Sequence, residues 1–133
     1  MSQSNIDAVQ EIYAAFGRGD LPAILERLSP EVDWREVGRE SDFPAFRHCK
    51  GHEEVVSFFQ QVAGTADFTA FEVESICASG DKVFVEGSNE RVMKATGKTA
   101  ASPWLHIFTF EDGKVARFVD YIDTAAVAEA YRG

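Results

Sequence analysis

Two ionisable residues stand on strand faces that are otherwise aromatic, and their types define the chemistry open to this chain. In residues 104–110 strand alternation puts Trp104, His106, Phe108 and Phe110 on one side and Leu105, Ile107 and Thr109 on the other. In residues 115–123 it groups Ala116, Phe118, Asp120 and Ile122 against Val115, Arg117, Val119, Tyr121 and Asp123. A tight hairpin at Asp112-Gly113 sets Phe110 beside Ala116, Phe108 beside Phe118 and His106 beside Asp120. A slip of one residue would turn either set to the opposite side. A carboxylate among aromatic rings is costly to bury as a free charge, so Asp120 has to be paired, hydrogen-bonded or protonated. His106 supplies a partner that exchanges a proton near neutral pH. In a water-poor cavity such a pair can act as general acid and base. The bland reading of the same pair is a buried hydrogen-bonded couple that only fixes strand register.

Further polar residues bear on that choice. Glu36 shares a strand face with Val32 and Trp34, and Glu86 and Ser88 share one with Phe84. If those faces also point inward, several ionisable groups converge on one cavity. For Glu86 alone a solvated face is the ordinary expectation. His48, Cys49 and His52 lie close together but match no well-formed zinc set, so no metal is expected. Gly17-Arg18-Gly19 reads as a turn between helices, not a phosphate loop, and there is no Gly-x-Ser-x-Gly elbow.

Composition narrows the classes. The 133 residues suit a single domain, 1–133, and a 45% hydrophobic content with 11 Phe supplies a core with large aromatic walls. A formal net charge of −9 argues against a nucleic-acid partner and against an anionic membrane surface. Cys49 and Cys77 are too few for a disulfide framework and fall in different elements, which fits a reduced, cytoplasmic chain. The opening Met-Ser-Gln-Ser-Asn lacks the regions of a signal peptide, and no apolar run approaches membrane-spanning length.

The elements that position these residues follow from periodicity. Ile6, Val9, Ile12, Tyr13 and Phe16 predict an amphipathic helix over 5–17, capped by Ser4 or Asn5. Asp20 caps a short second helix carrying Pro22, Ile24 and Leu25. A strand over 31–37 is followed by an irregular segment, 38–50, whose Phe43 and Phe46 suit a lid over a pocket mouth. A third helix spans about 52–63. From residue 66 the period becomes two, predicting strands over 68–78, 82–94, 99–111 and 114–123, with a short helix over 124–131. Helices first and a meander afterwards define an α+β fold.

The order and motifs resemble the SnoaL-like polyketide cyclases and the wider ketosteroid-isomerase and nuclear-transport-factor superfamily. The likeness is carried by Gly19-Asp20-Leu21, Glu31-Val32-Asp33-Trp34, Gly51 and Ser79-Gly80-Asp81-Lys82-Val83. Its most specific stretch is Trp104-Leu105-His106-Ile107-Phe108-Thr109-Phe110-Glu111-Asp112-Gly113-Lys114-Val115, followed by Asp120-Tyr121-Ile122-Asp123. The resemblance implies a cone-shaped, curved mixed or antiparallel sheet wrapped around the long N-terminal helix, with an apolar pocket inside. In SnoaL-like cyclases a His on the penultimate strand and an Asp on the last face that pocket, the positions of His106 and Asp120. Ketosteroid isomerases carry a carboxylate base on the first strand, where Glu36 falls, and an oxyanion hole pairing an acid, at the position of His106, with a Tyr of the first helix. Ile12 falls at that Tyr position and Tyr13 is expected to face elsewhere, which argues against steroid isomerisation. Epoxide hydrolases of this fold use an Asp-Arg-Asp set, and no Arg joins Asp120 on the inward face of the last two strands.

The expected catalytic set is therefore Asp120, His106 and Glu36. The expected ligand-binding set is Trp34, Trp104, Phe108, Phe118, Ile122, Phe16, Phe43, Phe46, Phe59, Phe84 and Glu86. The expected function is cofactor-independent isomerase, cyclase or lyase chemistry on a small apolar carbonyl compound. The alternative is a non-catalytic domain of the same fold that binds a small apolar ligand or dimerises. Leu105, Ile107, Val119 and Tyr121 make the opposite sheet face apolar enough to predict a homodimer through it.

Overall fold

The computed structural model describes residues 2–133. The chain begins with α1 (Ser2–Gly17) and α2 (Leu21–Glu26). It continues through β1 (Leu28–Glu36), β2 (His48–Lys50) and α3 (Gly51–Thr65). Four long strands follow, β3 (Ala66–Ser79), β4 (Lys82–Met93), β5 (Thr99–Glu111) and β6 (Lys114–Ile122), before α4 (Thr124–Arg132). Asp20 Oδ1 accepts the Ala23 N–H at 3.2 Å, and Pro22 occupies the first turn of α2, so the start of that short helix is locally encoded. Asp123 Oδ1 accepts the Ala126 N–H at 3.0 Å and starts α4 in the same way.

The strands form one open six-stranded sheet in the order β2-β1-β6-β5-β4-β3. β1 runs parallel to β6, and every other neighbouring pair is antiparallel. Helices first and a mixed sheet afterwards is the NTF2-like α+β arrangement the sequence predicts. The irregular 38–50 segment contains one element that periodicity did not give. His48–Lys50 pairs with Asp33–Arg35 as an edge strand, too short to show alternation. Cys49 and Cys77 lie on β2 and β3, the two opposite edges of the sheet. Among the described residues no helix is long and apolar enough to cross a membrane.

One side of the sheet is filled by the helices. Val9, Ile12 and Ala15 of α1 and Val55 and Phe58 of α3 are buried against Val32, Val83, Val85, Met93, Phe108, Val115 and Phe118 from the strands. That is where the apolar faces of elements otherwise half-exposed are removed from water. The β5–β6 hairpin turns at Asp112 and Gly113, with φ of +52° and +79°, as a two-residue turn of the primed type demands. Glu111 faces Lys114 and Phe110 faces Val115 across it. A bulge then inserts one extra residue on β6, so that Thr109 pairs with Arg117, Phe108 with Phe118 and His106 with Asp120. The expected pairing of Phe110 with Ala116 is corrected accordingly: Val115 turns inward, fully buried, while Ala116 is the bulged residue and only half-buried.

Candidate active site

The concave side of the sheet, α1, α3 and the loop after β1 border a largely aromatic cavity that opens to solvent. Register places the polar groups. The parallel pairing of β1 and β6 sets Glu36 opposite Asp120, and the β5–β6 hairpin sets His106 opposite Asp120 from the other side. Three strands thus deliver one imidazole and two carboxyls to a single spot. His106 and Asp120 are each only 7% exposed.

His106 is held on both edges and one face. The Tyr13 hydroxyl lies 2.6 Å from Nδ1. Burial, with the charge of Asp120 in addition, pushes the Tyr13 pKa strongly upward, so the phenol keeps its proton and donates it to Nδ1. With Nδ1 accepting from the phenol, the Nε2–H faces Asp120. Nε2 is 3.1 Å from Asp120 Oδ1, an ion-pair distance but off the line of a well-formed hydrogen bond; Oδ1 is otherwise buried without a partner. Trp104 stacks on the imidazole at 3.9 Å between centroids and 16° between planes. The indole can lie there because residue 87 is glycine: a Cβ at Gly87 would come within 2.3 Å of the Trp104 ring.

The two carboxyls are pushed apart. Burial is the main force raising Glu36 well above the ordinary carboxyl value, and the neighbouring Asp120 charge and the hydrogen bond between the two carboxyls add to it. For Asp120 burial also pushes upward as the largest single effect. The combined attraction of His106, the Glu36 hydrogen bond and the Arg91 charge outweighs it and holds Asp120 below the ordinary value. Between the two carboxyls the proton is therefore favoured on Glu36 and the negative charge on Asp120. Glu36 also borders a polar surface cleft lined by Arg35, Glu40, Arg47 and His48, which leaves the residue half-buried although protein surrounds its carboxyl.

Most of the expected site residues meet in this cavity. Asp120, His106 and Glu36 line it, with Trp34, Phe16, Phe43, Phe46, Phe59, Phe108 and Phe118. Phe43 and Phe46 reach it from the loop after β1, where the Phe46 ring lies directly over Gly38 (φ +142°) and a Cβ would clash at 2.5 Å. Four expected residues are placed otherwise. Trp104 is a buried backing to His106 and not part of the cavity wall, and Ile122 lies beside it as its cross-strand partner, half-buried. Phe84 and Glu86 are on the outer face of β4, because Val83, Val85, Gly87, Asn89, Arg91 and Met93 take the inward positions. Glu86 accepts a hydrogen bond from Ser75 at 3.3 Å out in solvent, and Ser88 is likewise turned outward.

Three polar wall residues were not expected. Tyr13 faces His106 instead of pointing elsewhere, since the cavity wraps far enough around α1 to take both Ile12 and Tyr13. Asn89 and Arg91 line the cavity from β4 and are 7% and 6% exposed. An alternating Gly-x-Asn-x-Arg in phase with Val83 and Val85 was the signal available for them. As for the His48, Cys49 and His52 cluster, His48 Nε2 is 2.5 Å from Asp33 Oδ1, His52 Nε2 is 3.0 Å from the Leu28 carbonyl and Cys49 is buried. Among the described residues no three His, Cys, Asp or Glu side chains are grouped to hold a metal.

This fold and site place the chain in a family. Residues 9–118 match the SnoaL-like domain, and the chain belongs to that family. It is similar to an uncharacterized protein of Mycobacterium tuberculosis, 25% identical over 129 residues that cover 96% of this chain and 95% of the relative. Among solved structures it is similar to an NTF2-like protein of unknown function from Burkholderia pseudomallei, at 29% identity, a TM-score of 0.90 and full coverage of both chains. It is also similar to TerC, co-crystallized with polyporic acid, at 28% identity and a TM-score of 0.85, with 98% of this chain and 99% of that one covered.

Proposed function

We propose that this chain is a cofactor-independent acid–base catalyst of the isomerase, cyclase or lyase type, acting on a small carbonyl compound bound in the aromatic cavity. The observation that carries this reading is the convergence of Glu36, His106 and Asp120 from three strands on one spot of the aromatic cavity, with Glu36 pushed toward its protonated form and Asp120 toward its charged one. Asp120 takes a proton from the carbon next to the carbonyl. Glu36 gives its proton to the carbonyl oxygen, and an enol results. Return of a proton at a different carbon, or attack of the enol carbon on a second carbonyl, completes an isomerisation or a ring closure and resets both carboxyls. Tyr13 and Trp104 hold His106, which in turn holds Asp120 in place. The similarity to TerC, co-crystallized with polyporic acid, supports an organic compound as the cavity's occupant.

The test is deuterium uptake from D2O at the carbon beside the carbonyl of 2-tetralone and related aryl ketones, followed by proton NMR. The wild type is expected to catalyse exchange, and Asp120→Asn to slow it by about 100-fold or more while still binding the ketone. An undiminished rate in Asp120→Asn removes the catalytic claim. Ketones that bind the wild type without exchanging would instead support a ligand-binding domain. The same reading has the chain acting in the cytoplasm as a homodimer through the outer sheet face.

A further inference from the structure

Arg91 enters the acid–base reading only through its charge, which helps to hold Asp120 low; its N–H donors are left unused. It is 6% exposed, and none of the ion pairs among the described residues includes it. Its Nη2 reaches Asn89 Oδ1 at 3.5 Å, the outer limit of a hydrogen bond, and its Nε is buried with no partner. The guanidinium stands 4.8 Å from the centroid of the Phe68 ring, whose face offsets a small part of the cost of burying a cation. A guanidinium carries five N–H donors in a fixed fork and stays charged in proteins. Buried with this little compensation it costs stability, and the same side chain replaced by an apolar one would remove that cost.

The acceptors nearby do not resolve the shortage. Glu36 and Asp120 attract the Arg91 charge from a distance, but among the described residues neither carboxyl forms an ion pair or hydrogen bond with the guanidinium, and Asp120 Oδ1 stays without a hydrogen-bond partner of its own. A second donor in the same wall is equally unserved: Trp34 Nε1 is buried with no partner. The cavity therefore presents unmatched donors, one of them cationic, among rings that favour a flat apolar body.

We infer that Arg91 with Asn89 forms an anion-binding subsite, so that the cavity's ligand is an aromatic compound bearing an anionic oxygen group, a carboxylate or an ionised enol or phenol, and not a purely apolar one. This rests on the acid–base reading only for the identity of the cavity. The planar fork binds two oxygens side by side, and the aromatic remainder lies against Phe68, Phe71 and Phe16. Binding this way fixes which end of the ligand reaches Asp120.

The experiment compares 2-naphthoate with its neutral counterpart 2-naphthamide, titrated into the full-length protein at pH 7 and read by intrinsic tryptophan fluorescence and by ligand-observed NMR. Wild type is expected to bind the naphthoate at least tenfold more tightly. Arg91→Met is expected to lose that preference while keeping its affinity for the naphthamide. It should also melt no lower than wild type without ligand. Arg91→Lys, which keeps the charge but not the fork, is expected to lose at least half of the preference on a logarithmic scale. It serves as the test should Arg91→Met not fold. Asp120→Asn removes a negative charge that acts on Arg91 and is expected to raise the preference while slowing proton exchange, so failure here and failure of the proton-exchange test are separate results. Equal binding of the two compounds by wild type, a preference that survives in Arg91→Met, or no binding of either compound at millimolar concentration would each overturn the inference.

Discussion

At the scale of single residues, the site is defined by where one proton rests. Glu36 keeps its proton in the folded chain at pH values where an unfolded chain has released it, near the ordinary value of 4.5. Its contribution to stability is thus complete below 4.5 and is lost as pH rises through the raised value in the native state. Asp120 behaves the other way: its contribution is complete above its ordinary value of 3.8 and is lost as pH falls through the lowered native value. Replacing Glu36 by Gln keeps a donor to Asp120 and removes the titration. Relative to wild type, Glu36→Gln is therefore expected to gain stability as pH rises from 4.5 to 8, by up to about 1.4 kcal/mol per pH unit while the native and unfolded wild type differ by one proton. Thermal midpoints of both proteins at the two pH values measure this. A constant difference between the curves would show that Glu36 does not hold its proton.

At the scale of elements, the position of Asp120 depends on one extra residue. The two-residue turn at Asp112-Gly113, continued without interruption, would put Val119 opposite His106 and turn Asp120 to the outer face. The bulge at Ala116 restores the phase before the pairing of His106 with Asp120. Deleting Ala116 removes the bulged residue itself, so Val115 opposite Phe110 should be followed directly by Arg117 opposite Thr109, Phe118 opposite Phe108 and Asp120 opposite His106 in an unbroken ladder. The expected result is proton exchange retained and a change of less than about 3 kcal/mol in denaturant unfolding. A folded deletion variant that has lost exchange would mean that the bulge does more than absorb the extra residue. The same element shows why the sequence was legible at one place and not at another. His106 and Asp120 stood on strand sides otherwise occupied by Trp and Phe, so their pairing was legible, while the bulge that a two-residue turn requires to reach it was not, and Phe110 was set beside Ala116 instead of Val115. On β4 both sides mix apolar and polar residues, Val83 and Val85 with Asn89 and Arg91 against Phe84 with Glu86 and Ser88. Alternation could not choose, and Arg91 and Asn89 went unseen while Phe84 and Glu86 were placed inside. Tyr13 was missed for another reason: helical spacing gives the centre of a buried stripe, but its width depends on how far the sheet curls around the helix.

At the scale of the whole molecule, the outer sheet face presents large apolar side chains to solvent among the described residues. Leu105 and Tyr121 are cross-strand partners there and are 38% and 45% exposed, Val73 of β3 is 40% exposed, and Phe84 joins them on β4 opposite Ile107. A chain of net charge −9 repels its own copies in general, so association has to be driven by a local apolar patch of this kind. Both members of a symmetric pair would contribute the same strip, Leu105 and Tyr121 of one against those of the other. Because these side chains point away from the cavity, a charge placed among them should break the pair without touching His106 or Asp120. Leu105→Asp is expected to convert a dimer to a monomer in light scattering at about 100 μM, a concentration at which micromolar association is nearly complete. It should retain the naphthoate preference set by Arg91. A wild type that is monomeric at that concentration, or a Leu105→Asp variant that stays dimeric, would place the contact elsewhere or nowhere. A monomeric variant that also lost naphthoate binding would show that the partner subunit supports the cavity through the sheet, since β5 carries Leu105 on one face and His106 on the next.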